Sequence, residues 1–190
     1  MNLDLRILSN LELELCQQVS TFSGTIEAKH EQLEASDIGA TYLQIHWAYV
    51  RLATDAAAPI KLEALKRLAF LSWHMFVGPA IYSGLNYTDE QVMRDSYGLL
   101  DAYVSATASP DPELHWMLYT YATWWDGGLL TAITGLPLPA LTSFVAATDP
   151  DLYLVPERQL PAGAMARRGQ MGLYWRSRQV EITDCCPANE

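Results

Sequence analysis

The chain has 190 residues, half of them hydrophobic, and a formal net charge of −10 at pH 7. This length allows one globular domain with a sizeable core, which we assign to residues 1–180, followed by a polar, flexible tail over residues 181–190. The acidic balance argues against a general nucleic-acid-binding protein.

The N-terminal residues and the cysteines favour the cytoplasm. Asp4 and Arg6 stand where a secretory signal would carry a basic run and then an apolar run. The chain has 3 cysteines, and the adjacent Cys185 and Cys186 are a poor basis for a disulfide framework. No His or Cys lies close enough to complete a zinc site with this pair, so we expect neither metal nor cofactor.

Two long stretches lack acidic and basic residues, over residues 68–88 and 127–148, apart from His74. Glycine and proline interrupt both, so neither supplies the roughly 20 continuous helical residues that cross a membrane. We therefore expect no membrane-spanning segment.

In chain order, the first pattern has two interpretations. Leucines alternate with polar residues up to Leu15, as in a β-hairpin, but the spacing of the apolar residues also suits a helix. We favour one helix over residues 10–34, bent at Gly24, with Ser9 and Glu12 as a capping box.

Capping residues, prolines and glycines then delimit further helices. We predict them over residues 38–54, 60–77, 89–106, 111–126 and 140–147, with a last one within 162–178. Lys61, Lys66 and Arg67 are expected on the polar side of the helix over residues 60–77. The fold class is therefore all-α, with about seven helices.

The helix over residues 111–126 is expected to form the centre of the fold. Its aromatic residues spread around the helix instead of forming one stripe, which predicts burial on several sides; they are Trp116, Tyr119, Tyr121, Trp124 and Trp125.

A spacing of 51 residues leaves two architectures open. It separates Pro59, Pro110 and Pro161, and also Trp73, Trp124 and Trp175. A true repeat would give a short HEAT-like α-solenoid, and a chance spacing would leave a compact bundle of helical hairpins.

Catalytic motifs are weak. No serine lies in a Gly-x-Ser-x-Gly elbow, there is no glycine-rich phosphate loop, and the single Glu-x-x-His motif, Glu27 to His30, lacks the second motif of a di-iron site. Three histidines adjoin a tryptophan, and imidazoles beside indoles suit a small-ligand pocket. The candidate ligand-binding residues are His74, His115, Trp116, Trp124, Trp125 and Asp126. A satisfied core histidine is the alternative, and for Asp126 a structural role comes first.

The C-terminal part carries arginines without acidic residues. Residues 158–180 contain Arg158, Arg167, Arg168, Arg176 and Arg178. They are candidates for contact with an anionic partner, for folding back on the acidic body, or for a solvated helix face.

The leading hypothesis is a non-enzymatic binding or scaffold protein. Such a protein would present an acidic and aromatic helical surface to a protein partner, as adaptor and immunity proteins do, or would self-associate. The alternative is a small-molecule-binding protein or enzyme with a pocket lined by His and Trp. A third hypothesis, nucleic-acid contact through the arginines, predicts strongly salt-dependent binding.

Overall fold

A computed structural model describes residues 4–87, 89–108, 111–123, 135–147 and 165–185. Within these ranges the regular structure is entirely helical, which confirms the all-α prediction. The helices are α1 (Leu5–Ser20), α2 (Ile26–Glu34), α3 (Ile38–Asp55), α4 (Ala58–Val77), α5 (Ala80–Ser83), α6 (Glu90–Ala106), α7 (Pro112–Thr123), α8 (Pro139–Ala147) and α9 (Gly169–Cys185).

The N-terminal region is two helices, so the prediction of one bent helix is wrong. Gly24 has a φ of +100°, a left-handed conformation that ends helical continuity, and the Thr25 side chain then caps α2. The predicted capping box is also wrong. Asp4 caps α1, whereas Ser9 lies inside the helix and donates a hydrogen bond to the carbonyl of Leu5 at 2.8 Å.

The boundaries of α3, α4, α6 and α8 agree closely with the sequence signals, whereas α9 extends to Cys185, beyond the range 162–178 predicted for the last helix. Asp89 caps α6 by accepting hydrogen bonds from two backbone N–H groups, and Pro59 lies in the first turn of α4. Asp111 caps α7 through a 3.0 Å hydrogen bond from the N–H of Leu114. Residues 124–126, predicted as the end of this helix, lie outside the described residues.

Helix α4 is enclosed by its neighbours, whereas the central position expected for the helix at 111–126 stays a prediction, since residues 124–126 lie outside the described residues. Helix α4 contacts α3, α5, α6, α7 and α9, and the ten successive residues from Ala64 to Trp73 are all buried. Lys66 and Arg67 belong to this run, so their expected polar exposure is wrong. Both side chains form ion pairs inside the protein. The two charged residues in the sequence therefore did not indicate that this face of α4 is buried.

Contacts distant in sequence favour the compact bundle over the solenoid. Helix α1 packs against both α3 and α9, whereas a solenoid repeat contacts only its neighbours. Trp73 and Trp175 are both in the core. Trp124, Pro110 and Pro161 lie outside the described residues, so the repeat itself stays a prediction. Of the helices in the described ranges, none is both long and apolar enough to cross a membrane.

At two glycines within helices, substitution by alanine is expected to have opposite effects on stability. A Cβ at Gly39 would overlap the carbonyl oxygen of Asn86, which is backbone, so Gly39→Ala should lower the free energy of unfolding by about 1 to 3 kcal/mol. At Gly98 the nearest atom would be Leu136 Cδ1 at 3.9 Å, so Gly98→Ala should raise it by about 0.5 to 1 kcal/mol. Urea unfolding of both variants measures this. Equal stability of Gly39→Ala and the wild type would contradict the close approach of α3 to Asn86.

Candidate functional site

A network of ionisable side chains lies at the junction of α1, α4, α7 and the start of α9. Its seven members, which we call the ion network, are Glu12, Glu63, Lys66, Arg67, Asp111, Glu113 and Arg168. Of these, the sequence analysis proposed only Arg168 as a site residue.

The inner end of the ion network is the pair Glu12 and Arg67, which are 1% and 2% exposed. Arg67 Nη1 lies 3.7 Å from Glu12 Oε2. The same oxygen accepts a 2.7 Å hydrogen bond from the backbone N–H of Gln170, and Oε1 accepts one from the Tyr49 hydroxyl. Glu12 thus binds the N-terminus of α9, where the helix dipole favours a carboxylate.

The outer end is organised by Arg168. Its guanidinium binds Glu63 in a bidentate manner, with Nε 2.8 Å from Oε1, and also binds Glu113. Arg67 Nε donates to Glu63 at 2.8 Å and Nη1 to the carbonyl of Arg168. Lys66 Nζ completes the network, lying 2.7 Å from Asp111 Oδ1 and 2.6 Å from Glu113 Oε2.

The electrostatics differ between the two ends. Burial raises the pKa of Glu12, and the opposing effects of Arg67, Tyr49 and Gln170 do not cancel it. Burial also acts to raise the pKa of Glu63, but hydrogen bonds and attraction from Arg168 and Arg67 outweigh it and leave the pKa lowered. Burying charges is costly unless each is paired, and every member of the network has a partner of opposite charge.

Removing one partner should therefore be more damaging than removing an exposed pair. We expect Arg67→Met to lower the free energy of unfolding by about 3 to 5 kcal/mol, because Glu12 and Glu63 lose a buried counter-charge. The double variant Glu12→Gln/Arg67→Met should recover part of this loss. The control is Glu90→Gln, which breaks the exposed Arg94–Glu90 pair and should cost less than about 1 kcal/mol. Equal effects of Arg67→Met and Glu90→Gln would contradict the energetic role of the network.

A second polar cluster surrounds His46, which is fully buried in α3. Its Nδ1 lies 2.7 Å from the Tyr87 hydroxyl and its Nε2 lies 2.9 Å from Ser96 Oγ. Ser96 Oγ in turn donates to the carbonyl of Val92 at 2.7 Å. Burial lowers the pKa of His46 to about 3, against a smaller opposing effect of Asp89, so the imidazole is neutral at pH 7. Both ring nitrogens are occupied, which describes a satisfied core histidine.

This burial makes stability depend on pH. Because the pKa of His46 is lower in the folded than in the unfolded state, stability is lost as the pH falls from about 6.5 towards 3. Between pH 7 and pH 4 the loss from this residue should be about 3 kcal/mol. We expect the free energy of unfolding to depend less on pH over this range in His46→Gln than in the wild type. Urea unfolding at several pH values measures this. An unchanged slope would show that His46 is not buried in its neutral form.

An aromatic cluster contains two of the candidate ligand-binding residues. His74 lies against Phe70, Trp73 and Tyr174 with ring centroids 5.0 to 5.7 Å apart, and Trp116 lies 4.4 Å from Trp175. The cluster is continuous, since Tyr121 stacks on Trp73 at 4.4 Å and on Trp175 at 6.2 Å. Burial lowers the pKa of His74 to about 4. The structure therefore brings His74 and Trp116 into one cluster, in which the side chains contact one another directly.

Of the other candidate residues, His115 belongs to the described part of the chain. The ring of His115 contacts Phe144 of α8 at 4.3 Å. Trp124, Trp125 and Asp126 lie outside the described residues, so their ligand-binding role stays a prediction.

The arginines have different environments. Arg168 is held by Glu63 and Glu113, which is the fold-back on the acidic body considered from the sequence. Arg167 is exposed, and Arg176 is exposed with its Nε donating to the carbonyl of Gly172 at 3.1 Å. Arg158 and the side chain of Arg178 lie outside the described part. Contact of these arginines with an anionic partner stays a prediction.

A surface groove lies between α1 and the start of α3. It has a volume of about 420 Å³ and is lined by Leu11, Glu14, Leu15, Gln18, Ser36, Asp37, Ile38 and Thr41. The residues from α1 are spaced three and four apart and form one helix face. None of the groove residues was predicted as a site residue from the sequence. The spacing of three and four residues along α1 is the sequence signal that places the α1 residues on one face.

Comparison of the chain with models of protein families, with curated proteins and with solved structures gave no match. No cluster of three or more metal-ligating side chains occurs in the described ranges. The function must therefore be argued from charge, burial and surface shape.

Proposed function

We propose that the protein is a non-enzymatic binding protein that presents an acidic and partly aromatic helical surface to a basic protein partner. The observation that carries this proposal is the excess of acidic residues outside the ion network. Three basic and four acidic side chains are paired within the ion network, which leaves nine basic and eighteen acidic residues in the rest of the chain.

The described surface supports an acidic contact face. Helix α2 carries Glu27, Glu31 and Glu34 three and four residues apart, and all three are exposed. A surface with this excess of one charge attracts a partner of the opposite charge and speeds their encounter. The partner we propose is therefore a protein with a basic surface, and the affinity should fall as salt is added.

An exposed aromatic side chain lies against α2, the helix that carries these acids. Tyr82 of α5 is 65% exposed, and α5 packs against α2. The ammonium group of Lys29 lies 5.6 Å from the centre of its ring. Tyrosine is enriched at protein interfaces because it offers both apolar area and a hydroxyl group. This makes the face formed by α2 and α5 suitable for a protein partner.

The second candidate is a small-molecule-binding protein or enzyme that uses the aromatic cluster. The observation that favours it is a set of buried polar atoms without a hydrogen-bond partner within the described structure: Trp73 Nε1, His74 Nδ1 and Gln170 Oε1. The close packing of these rings favours a core role, so we place this candidate second. We also propose a cytoplasmic location, on the basis of the cysteine usage.

The test is native mass spectrometry of the protein purified from the cells that make it, at low and at raised ionic strength. We expect a bound basic polypeptide at low salt that dissociates as salt is added, because screening weakens contacts between exposed charges. A small-molecule mass that leaves only on unfolding would favour the second candidate instead. Twice the mass of the chain would show self-association, and a free chain at low salt would contradict the proposal.

A further inference from the structure

We propose that the groove between α1 and α3 is a docking site for a short amphipathic helix of a partner protein, with leucine-like side chains on one face and lysine or arginine beside them. This inference rests on the proposed function and names the surface and the chemistry of the partner.

The shape of the groove fits one face of a helix. Leu11, Leu15 and Gln18 follow one another along α1 over seven residues, which is about 10 Å or two turns of an α-helix. A volume of about 420 Å³ is at the small end of the range of roughly 300 to 1,000 Å³ that ligand pockets occupy. The groove opens to solvent, so it suits the inserted side chains of a larger partner. A helix laid into a groove between two helices is a recurring mode of peptide recognition.

The chemistry of the lining selects the occupant. Leu11, Leu15 and Ile38 provide an apolar floor, and the carboxylates of Glu14 and Asp37 are exposed beside it. Neither carboxylate takes part in an ion pair with the described residues. Asp37 is the N-cap residue of α3, yet its side chain makes no capping hydrogen bond. Both carboxylates are therefore available to basic side chains of the partner that lie beside its inserted apolar side chain.

The complementary face follows from this lining. Apolar side chains at positions i, i+3 or i+4, and i+7 of the partner helix would cover the floor, as in other helix-in-groove complexes. Lysine or arginine beside them would meet Glu14 and Asp37, while an acidic helix would be repelled by the net charge of −10.

The experiment uses the full chain and three synthetic peptides of about 15 residues, since shorter isolated helices are marginal in water. The first is an amphipathic leucine–lysine helix, the second has the same composition in scrambled order, and the third replaces lysine with glutamate. Binding is followed by fluorescence anisotropy and mapped by backbone amide chemical shifts. We expect the first peptide alone to bind with shifts in Glu14–Gln18 and Ile38–Thr41.

Two matched pairs of variants locate the contact. Glu14→Gln/Asp37→Asn should weaken binding of the first peptide about tenfold, whereas Asp55→Asn/Glu90→Gln, with the same change in charge at exposed positions outside the groove and outside α2, should leave it unchanged. Gln18→Arg puts a cation into the groove and should abolish binding. Gln17→Arg makes the same change at an exposed position of α1 that does not line the groove and should have little effect.

The outcomes separate this inference from the proposed function. The docking site in the groove would be refuted if the ordered and scrambled peptides bound equally, or if both double-acid variants weakened binding equally. Either result would leave only a general attraction between charges. Shifts at the groove that depend on protein concentration without peptide would show that a second copy occupies it. If the native partner bound and Glu31→Gln/Glu34→Gln on α2 weakened it while Glu14→Gln/Asp37→Asn did not, the groove inference would fail and the proposed function would stand. If neither a native partner nor the peptide bound, both would fail.

Discussion

The buried pair of Glu12 and Arg67 is the constraint on which the described packing depends. Each charge is nearly inaccessible to solvent, so neither is tolerated without the other. Glu12 comes from α1 and Arg67 from α4, while Gln170 brings α9 to the same carboxylate. Three helices are therefore fixed relative to one another at a single point. Gly169 is part of this constraint: its φ is +58° and a Cβ there would overlap the Glu12 carboxylate, so only glycine fits.

Much of the fold could be predicted from local signals. Asp111 marks a helix start because it caps a backbone N–H group, and Pro59 marks one because it lacks an N–H. These signals hold because capping acts within four residues. The ion network could not be predicted, because it pairs residues that are up to 105 apart and a single sequence does not show such pairing. Lys66 and Arg67 were assigned to solvent since unpaired charges are rarely buried. The one available hint was their position inside a long apolar run.

The ion network leaves the acidic excess of the chain almost unchanged. It pairs three basic with four acidic side chains, so nine basic and eighteen acidic residues remain in the rest of the chain. The charge asymmetry between the body and the C-terminal arginines is visible in the sequence. The structural role of Arg168 is not, because it depends on how close Glu63 and Glu113 come in space. Candidate surfaces are therefore better sought among unpaired exposed acids than among the arginines.

The pairing of α1 with α9 has a consequence for the order of folding. Helices α3 and α4 are adjacent in sequence and form an extensive interface, so they can pack early at little loop-closure cost. One of the groups that bind the Glu12 carboxylate, the backbone N–H of Gln170, is synthesised late in this chain. Until then water takes the place of that hydrogen bond, and α1 docks only through its contacts with α3, α4 and α5. We therefore expect a growing chain to hold α1 loosely while the α3–α4 hairpin is already formed, and to complete its core only when the last helix arrives.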